Sequence, residues 1–173
     1  MRVENAWFAL TVAPRKEKIT AQTLRAAGLE EFLPLYFSRR IWSDRIKKLE
    51  KPLFPGYVFC RFDPRIRKSV MKTPGVISIV SFGGVPEPVD DAEIEALQAV
   101  CRSGVAASPW PTPKIGSKVA LQEGPLKGLE GILLDDKKAR LILSLSLLQR
   151  SVAVEIDRAW IGPAVGTLVS FSR

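Results

Sequence analysis

Histidine is absent from this 173-residue chain, and cysteine occurs only as Cys60 and Cys101, without a CxxC pairing. A metal site of ordinary nitrogen and sulfur ligands therefore has nothing to build it, and the commonest general base is missing. The two thiols read as core fillers. Glycine-rich phosphate cradles are missing too: neither GxxxxGK[ST] nor GxGxxG occurs. The adjacent acid pairs, Asp90/Asp91 and Asp135/Asp136, stand where a helix cap and a turn are expected, so they do not read as a catalytic dyad. No apolar run approaches a membrane span, and the first residues lack a continuous apolar signal region. The expectation is a cytoplasmic protein with no membrane partner, no catalytic residue, no metal and no cofactor.

Positive charge is what the chain has in excess. Lys plus Arg number 26 against 18 Asp plus Glu, a formal net charge of +8, and that balance favours contact with a polyanion, nucleic acid first. A hydrophobic fraction of 46% suffices for folded cores. The length fits one medium and one small domain.

Residues 6–12, AWFALTV, predict a strand closed by Ala13-Pro14, where proline can take the first position of a helix. Over 15–27, Ile19, Thr23, Leu24 and Ala27 recur at helical spacing, Arg15, Lys16, Lys18 and Arg25 lie mostly elsewhere, and Gly28 supplies the stop. Residues 32–37 read as a second strand, with Pro34 arguing for an edge or a bulge. The stretch 38–52, SRRIWSDRIKKLEKP, sets Arg39, Arg40, Arg45, Lys47, Lys48 and Lys51 against only Asp44 and Glu50, and predicts a basic hairpin or loop. A third strand over 57–62 alternates Tyr57, Phe59 and Arg61 with Val58, Cys60 and Phe62.

Asp63-Pro64 opens a helix with Ile66, Val70 and Met71 inward, stopped by Pro74-Gly75, and residues 76–82 form a fourth strand. Asp90 and Glu93 resemble a capping box ahead of a stripe of Ile94, Leu97 and Cys101 that ends at Gly104. The order β-α-β-β-α-β-α is the split βαβ, ferredoxin-like order plus one helix. Residues 105–113, VAASPWPTP, predict a semi-rigid linker. Beyond it, short strands punctuated by Gly124, Gly128 and Gly131 fit a small five-stranded barrel. The fold class expected is α+β: an amino-terminal domain over 1–104 with a four-stranded antiparallel sheet, a linker over 105–113, a β-barrel over 114–162 and a tail over 163–173.

Two constellations point to nucleic acid. Gly56, Tyr57, Phe59 and Phe62 on the third strand follow the aromatic pattern of the RNA-recognition motif, with Pro55 and Val58 departing from it. That reading is an autonomous single-stranded RNA-binding module; a plain core strand is the other. The basic stretch beside Trp42, with a second basic set at Arg15, Lys16 and Lys18, offers charge for phosphates and an aromatic for stacking, against the simpler reading of a solvated loop.

WFALTVAPRKEK, PLFPGYVFCRFD, TPGVISIV and GSKVALQEGPLKGLEGIL together resemble the NusG family of transcription elongation factors over about residues 6–161. FPGYVF followed by PGV is similar to the family's amino-terminal (NGN) domain, and GxxVxxxxGPxxGxxG to the start of its KOW β-barrel. SRRIWSDR, PLFPGYVFCRFDP and LLQRSVAVEID look closest to specialised paralogues of the UpxY and RfaH kind, which act on selected operons, often for surface polysaccharides; a housekeeping NusG is the alternative within the family. The resemblance implies a non-enzymatic, monomeric elongation or antitermination factor. It would bind the clamp helices of the largest RNA polymerase subunit through Phe54, Pro55, Tyr57 and Phe59, with Trp7 or Thr11 at the edge, and suppress pausing. Arg67, Lys68 and Ser69 align with a second polymerase contact. Arg15, Lys16, Arg39, Arg40 and Arg45 would lie toward the non-template DNA strand. In the KOW barrel, Leu145, Leu147, Leu148 and Arg150 occupy the region that in relatives recruits a ribosomal protein or a termination factor. LILSLSLL can be threaded as helix or strand, and Val152, Val154 and Ile156 with the glycines favour strand.

Overall fold

The computed structural model describes residues 5–42, 45–110, 115–135, 139–161 and 168–170. The chain divides into two compact units, one of residues 1–35 with 50–94 and the other of residues 36–49 with 95–173.

The first unit is built on β1 (Ala6–Val12), α1 (Glu17–Ala26) and β2 (Glu30–Phe32). A two-stranded antiparallel ribbon, β3 (Leu35–Trp42) and β4 (Arg45–Pro52), follows in sequence, and its residues 36–49 group with the second unit. The first unit resumes with β5 (Tyr57–Phe62), a 3₁₀ turn (Pro64–Ile66), α2 (Arg67–Met71), β6 (Val76–Ile79), a small hairpin of β7 (Ser81–Phe82) and β8 (Val85–Pro86), and β9 (Pro88–Val89). The sheet order is β2-β5-β1-β6, with β9 also pairing β1. β5 is thus inserted between β1 and β2, the split βαβ arrangement, and a fifth strand joins the four expected.

The β1–β5 register runs from Ala6↔Phe62 to Thr11↔Tyr57. Because side chains alternate across a strand, Phe8, Leu10 and Val12 share one face with Val58, Cys60 and Phe62. There they form a core with Ala21 and Leu24 of α1, Val70 of α2 and Ile79 of β6. The Phe8 and Phe62 rings stack at 4.7 Å between centroids.

Helix α1 is rotated from its expected phase. Its buried residues are Glu17, Thr20, Ala21 and Leu24, while Ile19 is 55% exposed. The inward polar groups each satisfy a backbone partner: the Glu17 carboxylate accepts from the Gly56 N–H at 3.0 Å, and the Thr20 hydroxyl donates to the Pro74 carbonyl at 3.3 Å. Pro14 precedes the helix, which starts only at Glu17. In the following helix Val70 is buried but Ile66 and Met71 are exposed, because a 3₁₀ turn and five α residues replace the longer helix expected.

Helix α3 (Asp91–Ser103) is capped by the Asp90 carboxylate, which accepts from the Ala92 N–H at 2.9 Å. Ile94, Leu97 and Val100 are buried, and Cys101 faces solvent instead of completing the stripe.

The second unit contains a sheet of β10 (Ala107–Trp110), β11 (Ile115–Ala120), β12 (Glu130–Asp135), β13 (Ala139–Leu145), β14 (Arg150–Glu155) and β15 (Leu168–Ser170). All neighbours are antiparallel, in the order β10-β14-β13-β12-β11-β15. Residues 107–110, expected as linker, are therefore a strand: Ala107 to Trp110 pair with Val154 to Ser151. The five strands expected become six, and no pair closes them into a barrel among the described residues. LILSL is β13, as its β-branched partners on β14 favour. Gly131 is required by packing, since a Cβ there would lie 2.7 Å from the Ile142 carbonyl oxygen. Gly124 adopts φ +83°, and a Cβ would strike the Trp160 ring at 2.5 Å.

Candidate functional site

Three sets of expected site residues can be followed from sequence to surface. The first is basic. Ala13 to Lys16 form a turn closed by the Lys16 N–H donating to the Ala13 carbonyl at 3.0 Å, with Arg15 at φ +64° after Pro14. Proline followed by a positive-φ residue is the type II pattern, and it leaves Arg15 and Lys16 exposed. Lys18, on the outer face of α1, pairs with Glu50 at 3.1 Å. In the ribbon, Arg39, Arg40 and Trp42 lie on β3, but their side chains fall outside the described residues. Arg45, Lys47 and Lys48 are exposed on β4. The expected basic hairpin is present, and it also carries Phe37 at 66% and Ile46 at 68% exposure. Neither apolar residue stood out from sequence: Phe37 ends the second strand expected over 32–37, whereas the structure divides that stretch into β2 and β3 and places Phe37 within the ribbon.

The second set is the apolar patch, and here the structure corrects the expectation. Trp7 is 4% exposed, Phe54 1% and Phe59 0%. Phe54 packs edge-on against Phe59 at 5.8 Å, and Phe32 lies 6.2 Å from Phe59. Gly56, at φ +85°, lets the chain turn so that its N–H meets Glu17 and its carbonyl accepts from the Val12 N–H at 2.8 Å. FPGYVF thus works first as a packed turn: Trp7, Phe54 and Phe59 serve the interior, and Thr11, Pro55 and Tyr57 keep accessible surface. A stacking platform of the RNA-recognition type stacks two or three bases on aromatics of its sheet. With Phe59 and Phe62 buried, Tyr57 alone is left.

The third set comprises Arg67, Lys68 and Ser69, all exposed on α2, and the KOW-region residues. Leu145 is 1% exposed and belongs to the interior of its sheet, contrary to the exposed edge expected of it. Leu147 and Leu148 are half-buried in the turn before β14, and Arg150 is exposed.

Among the described residues no cluster of His, Cys, Asp and Glu could hold a metal. Burial, reinforced by Glu31 and Glu30, pushes the Cys60 thiol up to about 12, so it stays protonated and inert at neutral pH. The Asp63 carboxyl is held below the usual range by hydrogen bonds from the Arg65 side chain and backbone N–H, a local cap on a 3₁₀ turn. No helix among the described residues is long and apolar enough to cross a membrane.

A family model described as "Transcription termination factor nusG" matches residues 5–98. "Transcription termination/antitermination protein NusG" of Buchnera aphidicola subsp. Acyrthosiphon pisum is 26% identical over 168 residues, covering 87% of this chain and 92% of that one. The protein of the same description from Escherichia coli O6:H1 is 29% identical over 150 residues, 82% of each chain. Among solved structures, one described as "Domain interaction in Thermotoga maritima NusG" matches with a TM-score of 0.57 at 18% identity, covering 91% of this chain and 96% of the other. At that identity the likeness concerns the fold.

Proposed function

From the premise that the chain belongs to the NusG family of transcription termination/antitermination proteins, we propose that it binds RNA polymerase at the clamp helices of the largest subunit. There it spans toward the non-template DNA strand and suppresses pausing or termination, on selected operons such as those for surface polysaccharides. The observation that carries the nucleic-acid half of this reading is the β3–β4 ribbon. Its exposed Arg45, Lys47 and Lys48 stand on a pair of strands that pairs with no other strand among the described residues. A solvated ribbon of like charges repels itself, and a phosphate backbone relieves that repulsion.

The polymerase-facing surface in this reading draws on the accessible Thr11, Pro55 and Tyr57, with Trp7, Phe54 and Phe59 holding them in shape from below. Arg67, Lys68 and Ser69 on α2 make the second contact. Arg15 and Lys16 add phosphate contacts, which position without reading sequence. Lys18 contributes only when its pair with Glu50 opens. Leu147, Leu148 and Arg150 offer a site for a ribosomal protein or termination factor. The amino-terminal domain is proposed to end near Gly104, with residues 107–110 counted in the following sheet. The protein would work in the cytoplasm, as a monomer and without catalysis.

Immobilised full-length protein is expected to retain bacterial core RNA polymerase from purified solution. Failure to retain it, with the chain shown folded by circular dichroism, would remove the polymerase half of the proposal.

A further inference from the structure

A carboxylate is buried at the start of α1, between two exposed lysines. Glu17 is 7% exposed, while its neighbours Lys16 and Lys18 face solvent. Burying a charge is costly unless hydrogen bonds compensate it, so the position of Glu17 calls for a reason. The turn it meets supplies one. The Tyr57 N–H donates to the Phe54 carbonyl at 3.1 Å, closing a β-turn with Pro55 and Gly56 at its centre, and Gly56 stands at φ +85°. Proline followed by a positive-φ glycine is the type II pattern.

A type II turn differs from type I by the flip of its central peptide, here the one joining Pro55 to Gly56. The turn's own hydrogen bond leaves the Gly56 N–H unused, and the direction of that N–H tells the two forms apart. The Glu17 carboxylate accepts from it at 3.0 Å. On the other side the Gly56 carbonyl accepts from the Val12 N–H at 2.8 Å. The peptides before and after Gly56 are thus tied down, one to α1 and the other to the end of β1. Held this way, the turn leaves Pro55 exposed and Tyr57 half-buried at the start of β5.

We infer that Glu17 is a positioning residue for polymerase binding, fixing the Pro55–Gly56 peptide in the orientation in which Pro55 and Tyr57 meet the partner. It rests on the polymerase contact proposed above and names the residue that gives that contact its shape. Without the carboxylate the turn samples both peptide orientations. Apparent affinity then falls with the fraction of molecules that hold the binding one.

The test is the affinity of the full-length protein for purified bacterial core RNA polymerase, measured by biolayer interferometry, with a urea midpoint recorded for every variant. Glu17→Ala is expected to bind roughly 10-fold more weakly, the low end of what a hydrogen bond to a charged group is worth. Glu17→Gln keeps an oxygen acceptor of the same reach and should restore most of the affinity. In a Tyr57→Ala background Glu17→Ala should cost little more, because both changes act through one turn. A merely structural Glu17 would lower the urea midpoint but leave the affinity of the folded chain alone, and its loss would add to that of Tyr57→Ala. If Glu17→Ala does not fold, Glu17→Asp carries the same test, its carboxylate being one methylene too short to reach Gly56. Parent-like affinity in the folded Glu17→Ala or Glu17→Asp chain, or additive losses in the double variant, would overturn the inference. A parent chain that itself binds no polymerase would overturn the reading beneath it and the inference with it, an outcome told apart by measuring the parent first.

Discussion

Phe59 shows how far burial governs the meaning of a residue. Its ring is 0% exposed and touches Phe54 edge-on. Phe59→Ala is therefore expected to destabilise the fold by about 3–5 kcal/mol, the usual cost of deleting a buried aromatic, read as a fall in the urea midpoint. Tyr57→Ala, two residues away on the same face but half-buried, should cost far less stability, so that weaker polymerase binding there reports a direct contact. A midpoint unchanged in Phe59→Ala would mean the ring is surface after all. Cys60 makes a second test at this scale. Its folded thiol ionises near 12 instead of its ordinary 9.0, so above pH 9 the unfolded chain loses a proton that the native state keeps. Stability present below pH 9 is thus lost progressively between about 9 and 12. A Cys60→Ala variant should show a shallower decline over that window than the parent chain. At neutral pH, a thiol reagent should label the exposed Cys101 quickly and Cys60 only on unfolding.

Elements were legible in the sequence where one physical rule acted alone. Strand β5 and the basic hairpin came directly from alternation and charge, and Gly28 and Asp90 from their roles at helix ends. The phase of α1 was not legible, because hydrophobic periodicity cannot anticipate that Glu17 and Thr20 turn inward to meet the backbone of Gly56 and Pro74. The strand over residues 107–110 was hidden by its one proline and the two that follow it in sequence: Pro109 is tolerated because β10 lies at the edge of its sheet. The apolar patch was misjudged for a related reason. Strand alternation tells which residues share a face, but not whether that face is covered. Gly131 carries an expectation of its own: Gly131→Ala forces a Cβ to 2.7 Å from the Ile142 carbonyl and should cost about 1–3 kcal/mol as an overpacked site. Resistance to proteolysis across residues 115–155 would fall accordingly, and unaltered resistance would show that the sheet can yield there.

At the scale of the whole molecule, the chain carries a formal net charge of +8. In the first unit Arg15 and Lys16 are exposed on a turn, and in the second Arg45, Lys47 and Lys48 are exposed on a ribbon. The family supplies the setting in which such a surface acts, and the proposed target is an elongating polymerase. Single-round transcription in vitro on a template with a strong pause tests that proposal most directly. Adding the full-length protein is expected to shorten the pause or carry polymerase through a terminator, and a variant with Arg45, Lys47 and Lys48 replaced by Ala should lose most of that effect. Pause lifetimes and termination identical with and without a folded, polymerase-bound protein would contradict it.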